Sequence, residues 1–353
     1  MKRRIPGMIL KNISTTSSIF FVILFLFFGG SFAQTCDPLT LDSISNPGEY
    51  NVGSLTESDG IRNGPDYSGA TIYYPTNATP PYSGMAIVPG YLSAQSSIQN
   101  WGPYLASHGI VTMTIGTNSI WEFPESRRDA LLDALVTLVG ENTRSGSPLL
   151  GQLDVNSLAV GGWSMGGGGA QLAAASDPSI KAVVALCPWL DSGSLSPADI
   201  NHAAPILFFS AENDWIAPPA NHADVQYDYT PLSTSKMLFE IASGAHQAAN
   251  DPINGDEYIG KIAVSWLKNY LIGEICYCPL VLDTPPSASQ YLLNVTCSCP
   301  EDVNGDGVIS VPDILVLLSE FGCVSECSAD INGDDATNVQ DLLLLLSVFG
   351  SAC

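Results

Sequence analysis

The stretch AVGGWSMGGGGA, Ala159 to Ala170, sets one serine between Gly161-Gly162 and the run Gly166 to Gly169. Glycine inside a helix or strand costs about 0.5–1 kcal/mol relative to alanine, so this density needs a backbone reason. SLAV before it reads as a strand and GGAQLAAAS after it as a helix. The pattern G-x-S-x-G, Gly162-Trp163-Ser164-Met165-Gly166, therefore falls on a sharp strand–turn–helix corner. Side chains at Gly162 and Gly166 would collide with neighbouring backbone there, and the later glycines let the helix lie close to a sheet. Ser164 is left projecting alone at the helix N-terminus. A phosphate-binding loop is the other common use of such glycines, but it would want a lysine that this turn lacks.

The residues around the corner agree with it. ATIYYP, GMAIVPG, IVTMTI, SLAVGG, KAVVALCP, PILFFSA and MLFEIAS are short apolar runs closed by Gly, Pro or polar residues. Between several of them lie the helical stretches SSIQNWGPYLASHG, SRRDALLDALVTLVG and GGAQLAAAS, and GKIAVSWLKNYLIG reads as a closing amphipathic helix. Buried parallel strands have this form. The alternation predicts an α/β fold over residues 34–273, a mostly parallel central sheet with helices on both faces.

A serine hydroxyl is a weak nucleophile and needs a base. The chain has four histidines. His108, His202 and His222 read as ordinary surface or core residues, His108 as a helix C-terminal cap. His246, in the loop SGAHQAAN after a late strand, lies where α/β sites form. The carboxylate that fixes such a base is expected at Asp214 in PILFFSAENDWIAP, with Glu212 and Asp191 as weaker candidates. The order Ser…Asp…His is that of α/β-hydrolases. Two N–H donors must hold the tetrahedral oxyanion; Met165 and Tyr91, the latter in the loop AIVPGYLSAQSS, are the expected pair. The Tyr91 ring would also flank the acyl group, Trp189 in CPWLD would form the opposite wall, and Trp215 and Ile216 would extend the groove. This chemistry calls for no cofactor.

Both ends carry other signals. MKRR, the apolar run IFFVILFLFF and the small residues Ser31 and Ala33 read as a signal peptide over residues 1–33, with the mature chain starting near Gln34. Nine cysteines in an exported chain point to disulfides, and an odd count leaves one over; Cys187, in an apolar run, is the candidate. Residues 274–299 form a Cys/Pro-rich linker or closing segment. Its two C-x-C pairs suit disulfides between Cys276/Cys278 and Cys297/Cys299 better than zinc. The formal charge of −23 argues against nucleic acid and against an anionic membrane as partner.

Residues 300–353 contain a repeat: DVNGDGVISVPDILVLLSEFG returns 28 positions later as DINGDDATNVQDLLLLLSVFG. The region has ten acids and no Lys or Arg. Asp302, Asn304, Asp306, Ser310 and Asp313 stand at loop positions 1, 3, 5, 9 and 12, and Asp330, Asn332, Asp334, Asn338 and Asp341 repeat them. With the carbonyls of Val308 and Ala336 at position 7, each set would surround Ca²⁺ in a structural role. Asp335 stands where position 6 usually takes Gly, so that turn is expected to be strained. Each loop runs into a leucine-rich helix, and the two helices are expected to pair.

The motifs VPGYLSAQSSIQNWGPYLASHGI, GWSMGGGG, PW, ENDWIAP and GAHQAAN closely resemble the bacterial cutinase-like polyester hydrolases, which include poly(ethylene terephthalate) hydrolases. The resemblance covers most of residues 50–272. It implies that the Tyr91 and Met165 amides form an oxyanion hole and that Tyr91 and Trp189 hold an aromatic acyl unit. Trp163 stands where many members carry His. One subgroup has an extra disulfide beside its active site; the matching positions here are Ala211 and Ala248. The duplicated tail resembles dockerin type I modules, which implies a protein or cell-surface partner. Val311-Pro312 and Val339-Gln340 lack the Ser/Thr pair typical of the cohesin-binding members, so the partner stays open.

The expectation is a secreted serine carboxylic-ester hydrolase acting on polyesters such as cutin or aliphatic–aromatic polymers through an acyl-enzyme. Two alternatives remain: a lipase or small-ester esterase, and a calcium-dependent adhesion or scaffold component with a silent hydrolase domain.

Overall fold

The apolar runs become strands of one nine-stranded sheet: β1 (Val52–Thr56), β2 (Ala70–Pro75), β3 (Tyr82–Val88), β4 (Val111–Ile115), β5 (Leu153–Trp163), β6 (Ala182–Leu186), β7 (Ile206–Ala211), β8 (Lys236–Ile241) and β9 (Ala288–Asn294). The computed structural model describes residues 39–350 except Ser192, Gly255, Asp256, Ser298 and Glu326. The expected signal peptide lies outside the described residues. The helices are α1 (Trp101–Ser107), α2 (Pro124–Glu141), α3 (Met165–Ser176), α4 (Ala223–Tyr229), α5 (Tyr258–Leu267), α6 (Cys278–Leu282), α7 (Val311–Ser319) and α8 (Val339–Ser347).

The sheet order is β1-β2-β4-β3-β5-β6-β7-β8-β9. From β4 through β3 and on to β8 all pairings are parallel, while β1, β2 and β9 add antiparallel edges. Successive side chains of a strand point to opposite faces, and here both faces are covered. Met85, Ile87, Val184, Leu186, Leu207 and Phe209 pack on the side of α1 and α5, with Trp101, Leu105, Ile262 and Trp266. Their neighbours Ala86, Val88, Val183, Ala185, Ile206 and Phe208 pack on the side of α2, α3 and α4, with Ala130, Leu131, Ala173 and Tyr227. This two-sided burial is why the central strands read as unbroken apolar runs rather than as alternating ones.

The two outermost strands escaped sequence reading. In β1 only Leu55 is buried, and β9 is half-exposed throughout, so neither shows an apolar run. The Cys/Pro-rich segment supplies α6 and β9, and β9 pairs antiparallel with β8. A Cys278–Cys297 disulfide closes this segment, and Cys276 and Cys299 are disulfide-bonded as well. Cys187 is free and buried. Among the described residues no helix is long and apolar enough to cross a membrane.

The acidic repeat forms its own small cluster, in which Ile309, Leu317, Ala329, Ile331 and Leu345 are buried where α7 meets α8. A Cys323–Cys327 disulfide closes the link between the two repeats.

Candidate active site

β5 runs straight into α3 through Ser164, whose backbone sits at φ 58°, ψ −122°. Non-glycine residues pay for that conformation in steric strain, and it is sustained only by the surroundings. The glycines show how. A Cβ on Gly162 would stand 2.4 Å from the Gly166 carbonyl carbon, and one on Gly166 would stand 2.4 Å from the Val88 oxygen. Strand and helix can therefore close on each other only without side chains there. Ser164 N donates to the Leu186 oxygen at 2.8 Å, and Ser164 O accepts from Trp189 N at 2.9 Å, which ties the corner to β6 and the loop after it.

His246 joins three elements. Its Nε2 lies 2.8 Å from Ser164 Oγ and its Nδ1 lies 2.6 Å from Asp214 Oδ2. Asp214 follows β7 and His246 follows β8, so both descend from the carboxyl ends of neighbouring parallel strands. Ser164, Asp214 and His246 are 5%, 4% and 3% exposed, dry enough for each hydrogen bond to count. Burial by itself would raise the Asp214 carboxyl; the His246 hydrogen bond and the amides of Ala217 and Ile216 outweigh it and hold the group below its ordinary value. Asp214 is thus an anion that orients the imidazole. Trp163 Nε1 donates to the His246 carbonyl oxygen at 2.8 Å, and its ring lies 5.1 Å from the imidazole.

Glu212, the nearer acid in sequence, turns away and accepts from Ser243 N, while Asp191 accepts from Gly193 N and Ser194 Oγ within its own loop. Met165 N is the first amide of α3 and so has no acceptor within the helix. Tyr91 lies on the loop that leaves β3, and its ring contacts Trp121 edge-on at 5.8 Å and Phe123 at 6.0 Å. Trp189 is half-buried, and a cavity of about 530 Å³ lies between it and Phe123. Ile216 and Trp215 are exposed beside Asp214.

Three neighbours of the site were missed in sequence. Trp121 and Phe123, on the loop between β4 and α2, continue the aromatic wall begun by Tyr91. His222, read as an ordinary histidine, stacks at 5.6 Å behind Trp189 and hydrogen-bonds the Leu190 oxygen through Nδ1. No local signal marks these residues, because their proximity comes from the fold.

In the tail, the carboxylate oxygens of Asp302, Asp306 and Asp313 lie within 4.8 Å of one another. Asp302 accepts from the amides of Gly305, Asp306 and Gly307, and Asp313 accepts from Asn304 N and Ser310 N. The second loop repeats the pattern: Asp330 accepts from Gly333, Asp334 and Asp335, and Asp341 from Asn332 and Asn338. The Val308 and Ala336 amides donate to Asp306 and Asp334. Asp335 takes φ 66° where Gly307 takes φ 84° in the first loop, so the expected left-handed turn is present with a side chain on it. No Lys or Arg in residues 300–353 offsets these acids, and converging hard oxygens are a donor set that suits Ca²⁺.

Residues 33–300 match the family model of PET hydrolase-like proteins. The chain is 37% identical over 258 residues to a bis(hydroxyethyl) terephthalate hydrolase of Streptomyces coelicolor, covering 72% of this chain and 77% of that one. It is 36% identical over 233 residues to cutinase 2 of Thermobifida cellulosilytica, covering 66% and 85%, and 36% identical over 233 residues to cutinase cut1 of Thermobifida fusca, covering 66% and 70%. With an α/β-hydrolase sheet and a serine, histidine and aspartate in hydrogen-bonded series at its carboxyl edge, the chain belongs to the PET hydrolase-like family of carboxylic-ester hydrolases.

Proposed function

We propose that this chain is a secreted serine hydrolase that cleaves polyesters, cutin-like or aliphatic–aromatic, through a Ser164–His246–Asp214 triad and an acyl-enzyme. The observation that carries the reading is the unbroken line from Asp214 Oδ2 through both nitrogens of His246 to Ser164 Oγ, at 2.6 and 2.8 Å, with the serine held on a strained corner at the start of a helix. Ser164 Oγ attacks the ester carbonyl as His246 Nε2 takes its proton. Asp214 fixes the tautomer and stabilises the imidazolium. The oxyanion is held by the amides of Met165 and Tyr91. His246 then returns the proton to the leaving alcohol, and a water repeats the cycle on the acyl-enzyme. No metal or organic cofactor takes part.

Substrate choice follows from the walls. Tyr91, Trp121, Phe123 and Trp189 surround the acyl side with aromatic faces, and Trp215 and Ile216 extend the groove. Offset or edge-on aromatic contacts contribute about 0.5–1.5 kcal/mol each beyond buried area. Relatives named for cutin and for bis(hydroxyethyl) terephthalate support the same substrate class.

In this reading residues 1–33 are a signal peptide, 34–273 the catalytic domain, 274–299 its closing segment and 300–353 a dockerin-like module. Asp302, Asn304, Asp306, the Val308 carbonyl, Ser310 and Asp313 would hold one Ca²⁺; Asp330, Asn332, Asp334, the Ala336 carbonyl, Asn338 and Asp341 would hold a second. The ion supplies positive charge that lets the acidic loops close. The module would attach the enzyme to a protein or cell-surface partner.

Product analysis of the purified enzyme and its Ser164→Ala variant tests the reading on short p-nitrophenyl esters, a triglyceride emulsion, cutin and polyester film. Release of monomers from cutin or film by the wild type alone supports it. Turnover confined to triglyceride or short esters overturns the polyester claim, and undiminished turnover in Ser164→Ala overturns the triad.

A further inference from the structure

Arg127, on the first turns of α2, is fully buried, although arginine is rarely so unless paired. Its Nη1 donates to the Pro89 carbonyl oxygen at 2.8 Å, while Nε and Nη2 meet no partner among the described residues. Burial brings its pKa down to about 10, which leaves it charged at neutral pH. A buried charge satisfied at one point is a poor device for stability, since well-packed apolar residues of similar volume often do as well or better. The one hydrogen bond of its side chain among the described residues, however, falls two residues before Tyr91.

The loop that carries Tyr91 is hemmed in on the serine side. A Cβ on Gly90 would stand 2.8 Å from Ser164 Cβ, and a Cβ on Gly166 would stand 2.7 Å from the Pro89 oxygen. The loop therefore cannot shift toward the nucleophile; it is free to drift only away from it. Two ties oppose that drift. Arg127 holds Pro89, and Leu92 N donates to the Ile120 oxygen at 2.8 Å. Both ties run to the same stretch, the entry to α2. Between them sits the Tyr91 amide.

We propose that Arg127 is a positioning residue for the oxyanion-binding loop, fixing the Tyr91 N–H before substrate arrives. The proposal rests on the serine-hydrolase reading above. A donor held in advance matters most when charge develops on the oxygen, so its loss should lower kcat more than it raises KM.

The test uses the full chain with Arg127→Met, Arg127→Lys and Ser164→Ala, assayed on p-nitrophenyl butyrate, by affinity for phenylboronic acid as a mimic of the tetrahedral adduct, and by thermal unfolding. For Arg127→Met the expected result is a kcat lowered about 10- to 100-fold, a KM changed less than about twofold, and boronate affinity lost in parallel. Arg127→Lys, which keeps a donor but with a shorter reach to Pro89, should lie between Met and wild type, with kcat about three- to tenfold below wild type and boronate affinity weakened to match. If Arg127→Met does not fold, Arg127→Lys decides by itself: a lowered kcat with weakened boronate affinity and unchanged KM supports the proposal, and wild-type values of both overturn it. A folded Arg127→Met with wild-type kcat, or an Arg127→Lys no better than Met, also overturns it. Turnover persisting in Ser164→Ala would instead bring down the serine reading, which the Arg127 variants leave untouched.

Discussion

Residues 52–294 bury Phe208, Phe209, Phe239 and Trp266 between helices on both faces of a sheet. The described part of residues 300–350 buries five apolar side chains in one small cluster and leaves Val311, Leu315, Leu318 and Phe321 exposed, together with Val339, Leu343, Leu346 and Phe349, which stand at the same places in the second repeat. The contrast concerns how each region holds its acidic groups. Asp214 is placed by a core that surrounds it, and its charge is answered by His246 and two amides. Asp302, Asp306 and Asp313 converge with amide donors, and residues 300–353 hold no Lys or Arg to offset them. The sheet region carries its own electrostatic compensation; for the tail we propose that a bound cation supplies it.

The largest effect that separates the regions should come from the triad. His246→Ala should lower kcat on soluble esters by about 10⁴-fold or more, because unassisted serine is a poor nucleophile. It should leave calcium-dependent folding of the tail unchanged, as followed by circular dichroism during a calcium titration. Substantial residual turnover would move the base elsewhere.

Acid should find the sheet region first. His108 and His202 are buried, and burial brings both pKa values down to about 4 from an ordinary 6.5. The unfolded chain therefore takes up these protons before the folded one. Stability should fall as pH drops from about 6.5 to about 4, by up to roughly 3 kcal/mol per histidine. The tail has no histidine and cannot share this dependence. Urea midpoints for sheet unfolding between pH 7 and 4.5 measure it, and a His202→Phe variant with an equally steep decline would assign the slope to other groups.

Trp189 offers a subtler cut. Trp189→Ala should cost about tenfold in kcat/KM on bulky aromatic esters and much less on acetate esters, since a short acyl chain barely reaches that wall. Equal loss across chain lengths would make the tryptophan, with His222 behind it, part of the packing rather than of the groove.

The smallest effect lies in the second loop of the tail. Asp335 occupies a left-handed position that Gly307 fills in the first. Asp335→Gly should relieve strain that glycine does not carry, set against glycine's greater unfolded-chain entropy, for a net gain of about 0.5–1 kcal/mol in tail stability. Calorimetry of calcium binding at the second loop would read it as modestly tighter affinity; weaker binding would show that the Asp335 side chain contributes to the site.

Much of this was legible in the sequence for a physical reason. Strands buried on both faces, such as β6 and β7, leave continuous apolar runs, and a serine that must sit at φ 58° leaves glycines around it. Asp214 was expected from its place just beyond a strand end and between Ser164 and His246 in the chain, and it is this acid that meets His246, while Glu212, next to β7, accepts from Ser243 N. What stayed hidden has contacts without a pattern. β1 and β9 are edge strands whose sequence need satisfy only one neighbour. His222 reaches Trp189 from the turn just before α4, more than thirty residues on in the chain. Arg127 reads as one more charge on a helix, the usual mark of a solvated face, and only the packing of α2 beneath the Pro89 loop makes it a buried one.

The division between a self-compensated hydrolase and an ion-dependent tail can be tested in one sample. Hydrogen exchange of α7 and α8 and turnover of p-nitrophenyl butyrate would be followed together on the full chain, first with calcium, then with EDTA, then with calcium restored. The account predicts that the α7 and α8 amides lose protection under EDTA and regain it with calcium, while ester turnover stays constant throughout. Turnover that collapses with EDTA and returns with calcium, or α7 and α8 equally protected in both conditions, would contradict it.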